Sequence, residues 1–122
     1  MKAFKLINTA DDQCAFQEGS LSLMTPIPAT YFFAQTHIDA YEKHPHSAPR
    51  YQFVVTLKGK LKFTVSNGSS FIIEPGVILI ANDLTGQGHI WELIEGEEWH
   101  RIYIVPPPGS EDHFRISLIS DF

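Results

Sequence analysis

The sequence lacks the features that stabilise or localise a small secreted or membrane protein. Cys14 is the single cysteine among 122 residues, which excludes an internal disulfide. No apolar run follows the first residues as a signal peptide requires, and none is long enough to span a bilayer. We therefore expect a cytoplasmic protein that has no membrane partner.

Basic residues are also scarce. The chain has 9 Lys and Arg against 14 Asp and Glu, which gives a formal net charge of -5. No basic stripe is interleaved with aromatic residues, so nucleic acid is not an expected partner. The expected partners are small molecules or other proteins.

Helical periodicity is almost absent, and apolar residues recur instead with a period of two. Residues 60–66, KLKFTVS, alternate between apolar and polar side chains, which is typical of a strand with one buried face. Residues 51–58, YQFVVTLK, are apolar at both parities, which favours a central strand covered on both sides by a second sheet or a subunit. The pattern predicts an all-β antiparallel sandwich or barrel.

Turn residues interrupt these runs at short intervals. Hairpin turns are predicted at 58–60 (Lys-Gly-Lys), at Asn67-Gly68 and at 95–97 (Glu-Gly-Glu), and a break between strands at 74–76 (Glu-Pro-Gly). The C-terminal tail, 109–122, is expected to add an outer strand, although a short helix is not excluded. A chain of this length predicts one domain.

The sequence His44-Pro45-His46 is the first candidate site. On extended backbone, residues two apart point to one face with Cβ atoms about 7 Å apart, so both imidazoles can bind one ion. The alternative is a solvated loop before a Ser-Ala-Pro bend. His89, which follows a glycine-rich loop and begins another strand, offers a third ligand.

These motifs resemble those of the cupin superfamily, within residues 44–59 and 76–93. The matching residues are His44, His46 and Gly59 in the first motif, and Gly86 and His89 in the second. Gln52 occupies the position of the family's Glu, while Leu84 and Leu93 replace a proline and an asparagine. Residues 46–52 also resemble small bacterial cupins with a His-x-x-Pro-x-x-Gln pattern.

The resemblance implies one cupin domain over residues 1–122, an antiparallel double-sheet jelly-roll barrel on which the strands of 1–37 and the tail 109–122 pack. It implies a divalent transition metal (iron, nickel, zinc or manganese) as cofactor. The implied ligands are His44, His46, Gln52 and His89. The strands carry apolar residues that would face outward, and cupins commonly form dimers. Both observations predict a homodimer.

The implied function is metal-dependent chemistry on a small polar or anionic metabolite, with oxygenase chemistry favoured over isomerase chemistry. The alternative is a cupin that binds or senses a small ligand without catalysis, so enzymatic activity stays open. Trp91 shares parity with His89 and is a candidate to line the cavity, although core packing explains it equally well. His100 is a second candidate if Ile102 and Ile104 face the barrel interior.

Overall fold

The structure, a computed structural model, describes residues 1–22 and 24–117, apart from the side chain of Tyr41. Within these ranges the chain forms eight strands and one four-residue 3₁₀ turn, Ala40–Lys43, which confirms the all-β prediction. The strands are β1 Lys2–Asn8, β2 Cys14–Leu21, β3 Tyr31–Gln35, β4 Gln52–Val65, β5 Ser70–Ile73, β6 Ile78–Ala81, β7 His89–Val105 and β8 Phe114–Ile116.

All eight strands belong to one hydrogen-bonded sheet. Seven follow the order β3-β7-β4-β6-β1-β2-β8, and β5 pairs with β4 beside this path. Neighbours are antiparallel, except that β1 and β6 run parallel. The sheet curls into a half-barrel along β4 and β7, its longest strands. The double-sheet jelly roll is a finer arrangement that stays a prediction.

Two of the predicted hairpin turns, at 58–60 and 95–97, are wrong. The chain continues through both places, because each lies inside one long strand. The β4–β7 register shifts between Thr56 and Leu61, which is a β-bulge, and Gly59 in this bulge has a φ of 109°. A Cβ at Gly59 would lie 2.8 Å from the carbonyl oxygen of Glu98, so the close approach requires glycine. The Asn67-Gly68 hairpin between β4 and β5 is confirmed.

The bulge moves the inward positions of β4 from even to odd residue numbers. Before the bulge Val54 and Thr56 face the main core, and after it Leu61 and Phe63 do. The indole N–H of Trp99 donates a hydrogen bond to the Thr56 hydroxyl at 3.1 Å, which satisfies both buried polar groups. Both halves of the bent strand therefore enclose one interior.

A second apolar cluster covers the opposite face of the sheet. Phe53 and Ile80 lie at its centre, and Ile27 and Phe114 pack against it from the segments before β3 and after β7. This explains why residues 51–55 are apolar at both parities, since both faces of that part of the strand are covered, whereas Leu57 is exposed. The tail continues as β8, which pairs with β2, and the rest of the predicted outer strand, 118–122, lies outside the described residues.

No helix in the described part of the chain has the length and apolar character needed to cross a membrane.

Candidate metal centre

His46 and His89 are brought together by the backbone. Each donates its peptide N–H to the other's carbonyl oxygen, both at 2.9 Å, and the ring centroids lie 4.6 Å apart. Gly88 makes this pairing possible, because its φ is 73° and a Cβ there would lie 2.0 Å from the carbonyl oxygen of His46. The glycine-rich loop before β7 therefore lets the two histidine-bearing segments meet.

The His46 ring is oriented by its own chain. Its Nδ1 lies 2.8 Å from the carbonyl oxygen of His44, a hydrogen bond that requires the proton on Nδ1. Burial lowers the pKa of His46, which favours the neutral imidazole at neutral pH. In that tautomer the basic lone pair resides on Nε2, the nitrogen a metal ion would use.

The His89 ring is oriented by a carboxylate that the sequence analysis missed. Nδ1 of His89 lies 2.6 Å from Oδ2 of Asp83, which is fully buried. A carboxylate that accepts the Nδ1 proton fixes the tautomer and makes Nε2 a stronger metal ligand. The other oxygen, Oδ1, has no hydrogen-bond partner among the described residues. The only sequence signal was an acidic residue six positions before a candidate ligand.

Cys14 lies against the same carboxylate. Its Sγ is 3.3 Å from Oδ2 of Asp83, and burial, with the negative charge of Asp83, raises the pKa of the thiol. The protonated thiol therefore donates to the carboxylate. One ligand atom each from Cys14, Asp83 and His89 lies within 4.8 Å of the others, so this buried group could also hold a metal ion.

A small cavity of about 30 Å³ lies in the interior of the curled sheet, beside the histidine pair. His46, His89, Gln52, Trp91 and Glu42 are among the residues that line it. The volume suits a water molecule or a bare ion. The cavity therefore brings together three of the four predicted metal ligands and one of the two predicted ligand contacts.

Two of the lining residues have polar partners that position them. Gln52 is buried, and its Oε1 accepts a hydrogen bond from Nη1 of Arg50 at 2.8 Å. Glu42, which the sequence analysis did not single out, forms a buried ion pair with Arg101, whose Nη2 lies 3.1 Å from Oε2. This ion pair ties the 3₁₀ turn before His46 to β7.

His44 and His100 lie outside the cavity. The expectation that His44 and His46 share a face is wrong, because residue 44 is a bend after the 3₁₀ turn and its side chain is exposed. The inward orientation of His100 is also wrong. It does share parity with Ile104, but Ile104 packs against the outer cluster, while Trp99 and Tyr103 face the interior. His100 instead lies 3.5 Å from Glu98 on the outer side.

The fold and this geometry define an all-β protein whose curled sheet holds a buried histidine–carboxylate cluster. Comparisons with protein-family models, curated proteins and solved structures found no match to the chain.

Proposed function

We propose that this protein is a cupin-type jelly-roll barrel that binds a divalent transition metal ion, iron, nickel, zinc or manganese, through His46, His89 and Gln52. The observation that carries the proposal is the meeting of His46 and His89 beside one small cavity, with the Asp83 carboxylate behind the His89 ring. Imidazole is a suitable ligand for each of these metals, and a buttressing carboxylate is common in metal sites. His44 has no part in this ligand set.

The donor set favours anionic ligands. Two neutral imidazoles and an amide oxygen carry no formal charge, so a bound ion keeps its full positive charge toward exogenous oxygen donors. Such an ion supplies Lewis acidity or oxygen activation, and we place oxygenase chemistry on a small polar or anionic metabolite ahead of isomerase chemistry. Trp91, the candidate ligand contact, lines the same cavity as the histidine pair.

A non-catalytic ligand-binding protein is the second candidate. The interior cavity of about 30 Å³ leaves no room for a metabolite beside an ion, which disfavours turnover at that ion and leaves the ligand of such a protein to a larger site. Oxygen uptake by the metal-loaded protein with a panel of diketones, flavonols and thiol acids separates the two. Substrate-dependent uptake supports the enzyme, and ligand binding without uptake supports the binding protein.

Metal titration of ligand variants tests the metal site. His46→Gln and His89→Gln should each weaken Co²⁺ or Zn²⁺ binding by at least about tenfold, a typical cost of disturbing a metal site. His44→Gln is the matched control and should bind like the wild type, because its side chain is exposed. Thermal melts of the metal-free variants check folding. Equal affinity in all four proteins would contradict the proposal.

The absorption spectrum of Co²⁺-loaded protein tests the alternative position on Cys14, Asp83 and His89. We expect no thiolate-to-cobalt charge-transfer band and the same affinity in Cys14→Ser, because the thiol and Nδ1 of His89 are both already hydrogen-bonded to Oδ2 of Asp83. A band that Cys14→Ser abolishes would place the ion on the other side of His89.

We also infer a homodimer formed through the outer face of β3 and its neighbours. Phe32 is 70% exposed on β3, and Leu57 is 57% exposed on β4. Phe32 pairs with Ile104 and Ala34 with Ile102, so apolar side chains continue across three strands. β3 is also the last strand on its side of the sheet. A second copy related by a two-fold axis would cover both the patch and the edge.

A further inference from the structure

A cleft of about 680 Å³ lies on the outer side of the sheet, apart from the interior cavity. Its walls come from β1, from the start of β3, from the two residues before β4, from the residues after β6, and from the end of β7 and the segment after it. The volume falls in the range of small-molecule sites, whereas the interior cavity holds only an ion or a water molecule. A metabolite-sized ligand therefore fits the outer cleft and not the interior.

Arg50 is the cationic residue of this cleft that has no anionic partner in the described part of the chain. The other lining cation, Lys5, forms an ion pair with Asp112 at 2.6 Å. For Arg50, no carboxylate of the described residues lies within 4.0 Å, and its Nη1 donates to the neutral amide of Gln52. The remaining guanidinium donors suit the planar oxygens of a carboxylate.

The same arginine links the cleft to the interior cavity. Arg50 lines the cleft, Gln52 lines the cavity with His46 and His89, and the hydrogen bond between Arg50 and Gln52 is 2.8 Å long. An anion bound by the remaining donors pulls the guanidinium toward the cleft and so lengthens or breaks its hydrogen bond to Gln52. A ligand that displaces the Arg50 side chain therefore frees Oε1 of Gln52 from its hydrogen bond, so that this oxygen can bind another group in the interior cavity.

We propose that the outer cleft binds a small organic monocarboxylate through Arg50, and that the Arg50–Gln52 hydrogen bond couples this binding to the interior cavity. An apolar body on the ligand fits walls that include Tyr31, Leu84 and Val105. A single negative charge is favoured over a phosphate dianion because Glu111 and Asp112 also line the cleft. Any effect on a metal ion rests on the proposed function, but anion binding does not.

Further support comes from the hydroxyl group of Tyr51 in the same cleft. Burial, followed by the charges of Asp112 and Glu111, raises the pKa of Tyr51 to about 12. The phenol therefore stays protonated at neutral pH. Its hydroxyl donates to the carbonyl oxygen of Ser110 at 3.4 Å, a long hydrogen bond that a carboxylate in the cleft can replace.

The test titrates benzoate, benzyl alcohol and inorganic phosphate into the metal-free full chain and follows backbone amide resonances by NMR. Benzoate should bind saturably in the cleft and more tightly than the other two probes. Arg50→Gln should weaken benzoate binding by at least about tenfold, and Arg50→Lys by less. Arg115→Gln removes the same charge at an exposed position of β8 and should leave the affinity unchanged.

Three outcomes would overturn anion binding through Arg50. They are the absence of saturable benzoate binding, equal affinity in Arg50→Gln and the wild type, and phosphate or benzyl alcohol binding as tightly as benzoate. A cleft that takes benzyl alcohol equally well would be an apolar site without an anion contact.

The side-chain amide resonance of Gln52 tests the coupling. Benzoate should shift this resonance in the wild type and leave it in place in Arg50→Gln. A Gln52 resonance that does not respond while the cleft fills would contradict the coupling. Since these measurements use metal-free protein, failure to bind metal would overturn the proposed function alone.

Discussion

Asp83 is the residue whose environment is least like that of an ordinary surface acid. It is fully buried, accepts from both Cys14 and His89 through one oxygen, and leaves the other without a partner in the described chain. A buried carboxylate with one unpaired oxygen costs folding free energy. The hydrogen bond from Nδ1 of His89 to this carboxylate gives Asp83 a role in orienting the ring.

Asp83→Asn should disturb the His89 ring without changing the size of the side chain. We expect a shift toward the other tautomer in the nitrogen NMR spectrum of the metal-free protein, and metal affinity about 10- to 100-fold weaker. Asp39→Asn is the matched control, because Asp39 makes a 3.4 Å contact with His37 at an exposed position. The same result for both variants would mean that Asp83 does not position His89.

Gln52→Glu should restore the charge that the cupin pattern has at this position. The added charge should strengthen ion binding by an amount on the order of a few kcal/mol at contact distance, and weaken anionic ligands at the ion. Since Arg50 already contacts Oε1, the new carboxylate also gains an ion pair, and the melting temperature should not fall.

Calorimetric titration with Zn²⁺ and thermal melts measure these two effects of Gln52→Glu. Gln87→Glu, an exposed position near His89, controls for the change in net charge. Unchanged ion affinity with a lowered melting temperature would mean that Gln52 is structural and is not a ligand.

At the scale of the strands, the close contact at Gly88 holds the two histidine-bearing segments together. Gly88→Ala would place a Cβ 2.0 Å from a backbone oxygen of His46, which no side-chain adjustment can relieve. We expect destabilisation well above the roughly 1 kcal/mol that a positive φ alone costs, with weaker metal binding because the bridge between His46 and His89 opens.

Gly76→Ala provides the comparison for this variant. Gly76 also has a positive φ, 95°, but nothing lies within 4 Å of the Cβ position. Urea denaturation of both variants separates backbone strain from steric contact. Equal losses of stability would mean that the contact at Gly88 relaxes without cost.

At the scale of the whole molecule, the proposed dimer follows from apolar surface that one chain leaves uncovered. Light scattering at micromolar concentration should give twice the chain mass of 13.8 kDa. Phe32→Glu should give a monomer, because it places a charge in the centre of the patch. Met24→Glu, which alters an 89% exposed side chain elsewhere, should leave the dimer intact. A monomeric wild type would contradict the proposal.

Local patterns were sufficient to predict the strands and part of the candidate site. Alternation with a period of two is a property of consecutive residues, so it located both halves of β4, as two strands joined by a turn, and the inward parity that His89 and Trp91 share. The Asn67-Gly68 turn was equally local, since two residues determine its backbone conformation. The same reasoning does not distinguish a turn from a bulge, which is why 58–60 and 95–97 were assigned as hairpins.

Only the tertiary structure decided whether the odd or the even residues of a strand face the interior, and which polar side chains contact one another. β7 keeps its odd residues inward from Trp91 to Tyr103, so His100 faces outward with Ile104, although the parity these two share was read correctly. Asp83 and Cys14 approach His89 from separate segments, and Arg101 approaches Glu42 in the same way. Such contacts depend on strand register and on packing between segments that are far apart in the sequence. The residue pattern of one segment does not determine either of these.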